Sequence, residues 1–373
     1  MAAVVPERRP AQDDREPAPD RRAPGFRMYR PGDAGDGAPE PQRNGAPESS
    51  AALDVEPLND DALLDLSADL AGRRVEDTLA RLDAELVGLE GVKRRVREIA
   101  ALLLVERARE RFGLAAARPT MHMSFTGGPG TGKTTVALRM AELLHTLGYI
   151  RKPKVHTVTR DDLVGQFIGH TAPKTKEALA KAAGGVLFID EAYYLFRPEN
   201  ERDYGQEVIE ILLQEMETER TSRGAPGGPG GGSLRNHAGP SEASPSIPVV
   251  IFAGYPDRME TFFSANPGLS SRVAHHIEFP DYTHDELRAI TDLMVADLHL
   301  RFDPDGAEAF AKYLELRMAR PRFANGRSVR NALDRCRLRQ AKRLVELHRP
   351  LGKADLTTLT AADVYGSSVF RRE

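Results

Sequence analysis

The chain has 373 residues, more than one domain usually contains, and its 52 Lys and Arg nearly balance 55 Asp and Glu, leaving a net charge of -3. That balance argues against a protein that binds nucleic acid by neutralising phosphates. A single cysteine excludes an intramolecular disulfide and a cysteine-rich zinc site, and no apolar run approaches the roughly 20 residues that cross a membrane. We therefore expect a cytoplasmic protein with two ordered subdomains plus tails, and neither nucleic acid nor a membrane as a partner.

Residues 1–58 predict a disordered amino-terminal tail. Nine of the 26 prolines lie in the first fifty positions, among charged residues, Gly and Ala. Such a segment buries too little apolar surface to offset the entropy lost on ordering the chain. An arm that folds on contact with a partner is the alternative.

Residues 75–112 predict two helices, broken near Gly88 and Gly91, because apolar residues recur there at helical spacing. Short apolar runs then alternate with helical patterns, which is typical of parallel strands joined by crossover helices. The strand candidates are 122–126, 155–159, 185–190, 249–253 and 276–279. We predict a large α/β subdomain with a parallel sheet over 75–282.

Two features complete the predicted organisation. Residues 220–248 are dense in Gly, Pro and Ser and predict a flexible insertion between a helix and the next strand. Beyond residue 283 only helical patterns remain, so 283–350 predict a small helical lid and 351–373 a carboxy-terminal tail.

Residues 127–134 read GGPGTGKT and fit the phosphate-loop pattern, with a predicted strand before them and the helical run 136–147 after them. In this motif the glycines let backbone N–H groups close on phosphate oxygens at a helix amino terminus. Lys133 is expected to reach the β and γ phosphates of ATP, and the Thr134 hydroxyl to bind Mg²⁺. The predicted nucleotide contacts are Gly127, Gly128, Pro129, Gly130, Thr131, Gly132, Lys133, Thr134 and Thr135.

A second constellation follows the third strand candidate, where the apolar run VLFI leads into Asp190 and Glu191. A strand buried on both faces delivers its last side chains to the carboxyl edge of the sheet, where ligands bind. We expect Asp190 to join the Mg²⁺ shell and Glu191 to polarise the attacking water. A plain buried strand with a solvated acidic turn is the alternative, and the phosphate loop argues against it.

The phosphate loop and the acidic pair occur in many ATPases, but two longer segments are more specific. The stretches VTRDDLVGQFIGHTAPKT (158–175) and RPENERDYGQE (197–207) are the most specific. With them, 75–348 resembles the red-type Rubisco activases of the CbxX/CfqX family of AAA+ proteins. The resemblance implies an ATPase with an AAA+ fold.

The resemblance also implies roles in nucleotide chemistry. Arg272 matches the arginine that reaches the γ-phosphate of a neighbouring subunit, with an ordinary surface arginine as the alternative. Arg327 matches the lid arginine that senses nucleotide, and Arg330 competes for that role. Val87 and Gly88 match the segment that cradles adenine.

The resemblance also bears on a substrate-gripping loop and on the end of the fourth strand candidate. Phe167 and Ile168, in GQFIG, resemble the loop that grips substrate in a central pore, although the family usually has Tyr in place of Phe167; core packing of Phe167 is the alternative. The polar residue that usually ends the strand before the trans arginine is missing, because 249–253 lead into Gly254 and Tyr255. That role stays unassigned.

The resemblance implies that the chain forms a homo-oligomer, a hexameric ring. It would pull on the large subunit of red-type Rubisco, release inhibitory sugar phosphates and be activated by ribulose-1,5-bisphosphate. Alternatives are another ATPase of the same family, related to type VII secretion or sporulation, and a scaffold switched by nucleotide. The pairing of Lys133 with Glu191 argues against the scaffold, which needs no water-activating carboxylate.

Overall fold

The computed structural model describes residues 58–59, 61–66, 69–114, 119–197, 203–223 and 247–371. The predicted tail over 1–58 lies outside these residues except for Leu58, whose N–H donates to the carbonyl of Arg111. Most of the predicted insertion over 220–248 also lies outside them. Within the described part, helix α6 runs to Arg223, so it continues three residues past the predicted start of the insertion.

Thirteen α-helices and two 3-10 turns lie in the described residues. The helices are α1 Leu70–Glu85, α2 Glu90–Arg111, α3 Lys133–Thr146, α4 Arg160–Leu163, α5 Thr171–Ala182, α6 Gly205–Arg223, α7 Pro256–Ala265, α8 Pro267–Ser270, α9 His284–Asp297, α10 Pro304–Met318, α11 Asn325–Glu346, α12 Lys353–Thr357 and α13 Ala361–Tyr365. The 3-10 turns are Ala192–Leu195 and Ser368–Phe370. The predicted break between the first two helices contains Gly88, whereas Gly91 lies inside α2.

Five parallel strands form the central sheet, which confirms the predicted α/β class. They are β1 Met123–Gly127, β2 Val155–Val158, β3 Val186–Ile189, β4 Val249–Gly254 and β5 His275–Phe279, in the order β2-β3-β4-β1-β5. Strands β3 and β4 are buried throughout, as their unbroken apolar sequence predicts. Because all five strands run the same way, the phosphate loop after β1 and the acidic pair after β3 emerge at one edge.

The sheet separates two apolar cores. Side chains alternate along each strand, so Phe188 and Ile251 face a core with α1 to α3, whereas Leu187 and Phe252 face a core with α5 to α7. The first of these cores continues into the carboxy-terminal helices through Leu287 and neighbouring side chains. The lid therefore shares a core with one face of the sheet.

The lid differs from the sequence prediction in two ways. It contains a small parallel pair, β6 Arg301–Phe302 with β7 Thr358–Leu359, and is not entirely helical. The segment predicted as a tail over 351–373 is folded as far as it is described, because Leu359, Val364 and Val369 are buried in the shared core. Two-residue strands and five-residue helices are too short for hydrophobic periodicity to reveal.

We expect Leu359→Ala to lower the free energy of unfolding by about 2–5 kcal/mol, because it leaves a cavity beneath β7. Leu359 has 0% of its surface exposed, whereas Leu356, three residues earlier, is 55% exposed. Leu356→Ala is the matched control and is expected to cost about 0.5 kcal/mol or less. Denaturant titration of both variants measures the difference. Equal, small effects would show that 351–371 contributes nothing to the lid.

Candidate functional site

A cleft of about 290 Å³ lies where the phosphate loop, the ends of β3 and β4 and the lid meet. Every predicted phosphate-loop residue borders it except Gly128. The remaining lining residues are Leu86, Asp190, Glu191, Gly254, Tyr255, Tyr282, Ile290, Gly326, Arg327 and Arg330. The structure thus brings together the two motifs that the sequence separates by more than fifty positions.

Local hydrogen bonds shape the phosphate loop. Lys133 Nζ donates to the carbonyls of Gly127 and Gly128 at 2.8 and 2.7 Å, and the Thr131 hydroxyl donates to the carbonyl of Gly128 at 2.9 Å. Gly130 and Gly132 have φ of +74° and +95°, a region that side chains with a Cβ rarely adopt. Lys133 is also the first residue of α3, so the positive end of that helix faces the cleft.

The acidic pair lies opposite that loop. Asp190 Oδ1 accepts the N–H of Glu191 at 3.0 Å, and Glu191 has φ of 51°, unusual for a residue with a long side chain. The Tyr193 hydroxyl donates to Glu191 Oε1 at 3.3 Å. The Thr134 hydroxyl and the Asp190 carboxylate border the same cleft, and such hard oxygen atoms fit Mg²⁺, which usually takes a few protein ligands beside phosphates and water. No cluster of three or more His, Cys, Asp or Glu able to hold a metal occurs in the described ranges.

Burial lowers the pKa of Lys133 from its ordinary value of 10.5 to about 8. The Asp190 charge opposes this shift, whereas the positive charge of Arg327 adds to it. A phosphate ligand would restore the charged form, because an anion close to an ammonium group favours protonation.

The lid closes the cleft through residues that the sequence did not single out. Asn325 is buried, and its amide donates to the Pro129 carbonyl at 3.3 Å and to Asp281 Oδ1 at 2.7 Å. Its Oδ1 accepts the N–H of Tyr282 at 3.0 Å, and the Tyr282 hydroxyl donates to the Thr131 carbonyl at 3.2 Å. A single Asn or Tyr in the sequence carries no pattern that reveals such distant partners.

The predicted adenine contacts Val87 and Gly88 lie in the break between α1 and α2 and do not border the cleft. The preceding residue, Leu86, does border it, as does Ile290 of the lid. Gly88 has a different constraint: a Cβ there would lie 1.8 Å from Glu286 Oε1. The lid arginines Arg327 and Arg330 both border the cleft, so the competition between them stays open.

Two predicted functional segments lie away from the cleft. Arg272 does not border it; its guanidinium pairs with Glu217 at 2.6 Å and donates to the Gly268 carbonyl at 2.9 Å. Phe167 and Ile168 are 65% and 84% exposed, so the alternative of core packing for Phe167 is wrong. Tyr255, the residue after β4 and before α7, borders the cleft, and the role of the missing polar residue stays unassigned.

The pKa of Lys133 predicts that ATP affinity falls as the pH rises above about 8. Below that value the ammonium is charged; above it, binding of the anionic phosphates must take up a proton, and this can cost up to about tenfold per pH unit. Titration with a fluorescent ATP analogue between about pH 7 and pH 9.5 measures the slope. Lys133→Arg is the control, because its guanidinium stays charged throughout. Equal slopes in both proteins would contradict the assignment.

Comparison with known proteins agrees with this geometry. Residues 123–281 match the ATPase family associated with various cellular activities (AAA), and residues 283–368 match an AAA lid domain. The AAA domain of FIGL-1, solved in complex with ADP, superposes with a TM-score of 0.50 and 16% identity over 80% of this chain and 90% of that one. This likeness shows the fold. No helix in the described ranges is long and apolar enough to cross a membrane.

Two relatives share about half of their residues with this chain. The plasmid-encoded protein CbxX of Cupriavidus necator is 56% identical over 330 residues, covering 88% of this chain and 96% of the relative. The chloroplastic ribulose bisphosphate carboxylase/oxygenase activase of Cyanidioschyzon merolae is 52% identical over 309 residues, covering 83% and 97%. With the AAA and lid matches, these identities place the chain in a family as well as a fold: it belongs to the CbxX/CfqX family of AAA ATPases.

Proposed function

We propose that this ATPase is a ring motor that reactivates inhibited red-type Rubisco by pulling on its large subunit. The observation that carries the proposal is the 52% identity to a chloroplastic Rubisco activase over 97% of that relative's length. A pull of this kind would release tightly bound inhibitory sugar phosphates. By the same resemblance, ribulose-1,5-bisphosphate is the proposed activating ligand. The cytoplasm is the proposed compartment, where the buried thiol of Cys336 stays reduced.

The cleft supplies the groups that ATP hydrolysis needs. Lys133 and the backbone of the phosphate loop would hold the phosphates, with Thr134 and Asp190 on a Mg²⁺ ion that neutralises charge as the terminal phosphate leaves. Glu191 would accept a hydrogen bond from the attacking water and so orient and polarise it. Leu86, at the end of α1, and Ile290 of the lid would contact the base, since both are apolar and border the cleft. Closure of the lid would then exclude bulk water.

Arg272 supports the assignment of a ring. Its guanidinium lies outside the cleft of its own chain, where it pairs with Glu217. Both side chains of this pair are only partly buried. An arginine supplied by a neighbour stabilises charge in the transition state and is worth about 10³ to 10⁵ in rate. We propose that Arg272 acts in this way on the next subunit of a hexameric ring.

The exposed loop with Phe167 and Ile168 is the proposed grip on the Rubisco chain. Both ends of the loop are fixed: the N–H of Gly165 donates to the Thr171 hydroxyl at 3.2 Å, and Lys174 Nζ donates to the Val164 carbonyl at 3.1 Å. An apolar tip held at fixed ends transmits a displacement better than a free loop does. A ring would place one such tip per subunit around the pore.

Arg272→Ala protein is expected to bind ATP but to hydrolyse it at least about a hundredfold more slowly, because the transition-state cation is missing. Lys133→Ala protein should bind ATP weakly. Mixing the two should restore part of the turnover wherever an intact phosphate loop lies beside an intact arginine. The double variant in one chain, mixed with itself, is the control. No recovery in mixed rings of confirmed composition would show that Arg272 acts within its own chain.

Phe167→Ala is expected to keep ATP turnover within about threefold of wild type, because the loop lies outside the cleft, and to abolish reactivation of inhibited red-type Rubisco. Carboxylation assays with and without ATP measure the second effect. Leu338→Ala is the matched control, since Leu338 is a similarly exposed apolar residue, at 71%, on the lid. Normal reactivation by Phe167→Ala rings would remove the loop from the mechanism.

A further inference from the structure

The 3-10 turn Ala192–Leu195 begins directly after Glu191 and places an aromatic hydroxyl against its carboxylate. Tyr193 is buried, whereas Glu191 is exposed to the cleft. Within the described part of the chain, the Tyr193 hydroxyl is the hydrogen-bond donor to the Glu191 carboxylate, at 3.3 Å from Oε1. An exposed glutamate is thus paired with a buried partner two residues away.

The ring of Tyr193 is fixed by its neighbours. The guanidinium of Arg258 lies 5.0 Å from the ring centroid, and the rings of Tyr194 and Tyr255 lie 4.7 and 6.0 Å from it. The end of β4 closes a further side, since a Cβ on Gly254 would lie 2.7 Å from Tyr193 Cδ1. Burial and the nearby Glu191 charge raise the pKa of the Tyr193 hydroxyl, so it remains a hydrogen-bond donor at neutral pH.

The turn itself is held from the side of the exposed loop. Arg160, the first residue of α4, donates to the carbonyl of Tyr194 at 2.8 Å and pairs with the carboxylate of Asp203. Asp203 in turn accepts the N–H of Gly205 at 2.9 Å, at the start of α6. Because α4 leads into the Phe167 loop, the backbone that carries Tyr193 is tied to the segment before that loop.

We propose that Tyr193 is a positioning residue that holds the Glu191 carboxylate in the orientation needed to polarise the attacking water. The hydroxyl engages one carboxylate oxygen, Oε1, and leaves Oε2 to accept the hydrogen bond from water. Tyr193 itself contacts neither the nucleotide nor the water in this arrangement. The inference rests on the proposed role of Glu191 in ATP hydrolysis.

The first test removes only the hydroxyl. Tyr193→Phe is expected to lower kcat for ATP about tenfold, equivalent to about 1.4 kcal/mol, with KM and the affinity for a fluorescent ATP analogue within about twofold of wild type. Tyr194→Phe is the matched control, because it makes the same change in the same turn and keeps the carbonyl that Arg160 binds. A wild-type kcat for Tyr193→Phe would overturn the inference.

The second test separates positioning from a structural effect. In a Glu191→Gln background, single-turnover hydrolysis should be nearly unaffected by adding Tyr193→Phe, because the hydroxyl acts only through the carboxylate. An equal loss in both backgrounds would show a structural role and overturn the inference. If Glu191→Gln alone hydrolyses ATP at the wild-type rate, the proposed role of Glu191 fails and the inference fails with it. If Glu191→Gln is inactive while Tyr193→Phe is normal, only the inference fails.

Discussion

The contact of Asn325 with the phosphate loop is the interaction on which the site depends, because it joins the lid to the sheet. The Asn325 side chain binds the Pro129 carbonyl, the Asp281 carboxylate and the Tyr282 N–H. The backbone of Asn325 has φ of 44°, in the left-handed region. The adjacent backbone is equally close, since the N–H of Gly326 donates to the Gly130 carbonyl at 3.1 Å. A Cβ on Gly130 would lie 2.3 Å from the Ala324 carbonyl, so only glycine permits the approach. This contact holds the lid residues of the cleft, such as Arg327, beside the phosphate loop.

The approach of the lid also sets the electrostatics of the cleft. It brings Arg327 near Lys133. Burial and, to a smaller extent, the Arg327 charge lower the pKa of Lys133, while Asp190 and Asp281 oppose the shift. A site with this balance is prepared for a ligand that carries several negative charges. Lid position and phosphate binding are therefore coupled through charge as well as through contact.

The local parts of the site were predictable from sequence. The phosphate loop and the Asp190–Glu191 pair each lie within a few consecutive residues, and parallel strands bring both to one edge of the sheet. Asn325 and Tyr282 were not predictable, because their partners lie far away in sequence and a single Asn or Tyr has no periodicity. That Leu86 borders the cleft while Val87 and Gly88 do not has a similar reason: a motif locates a segment of backbone but does not say which side chain points inward.

The segment after residue 350 shows another limit of predicting structure from sequence patterns. Leu359 is buried by pairing with Phe302, yet each strand of that pair has only two residues. The Arg343 guanidinium binds the carboxylate of Asp363 at 2.8 Å, and Asp363 accepts the N–H of Thr360 at 2.9 Å. These contacts order the segment after residue 350 through tertiary structure, whereas its local sequence predicts only a tail.

The ion pair of Arg272 with Glu217 bears on how a subunit could serve its neighbour. A half-exposed pair of this kind contributes about 0–1 kcal/mol, so exchanging Glu217 for a phosphate on another chain costs little. The pair nonetheless fixes the direction of the guanidinium before any partner arrives, since Gly268 holds its other edge. The loop at Phe167 has the same character, with an exposed tip and anchored ends. In both places the single chain holds a side chain oriented at its surface, as the proposed contact with a second molecule requires.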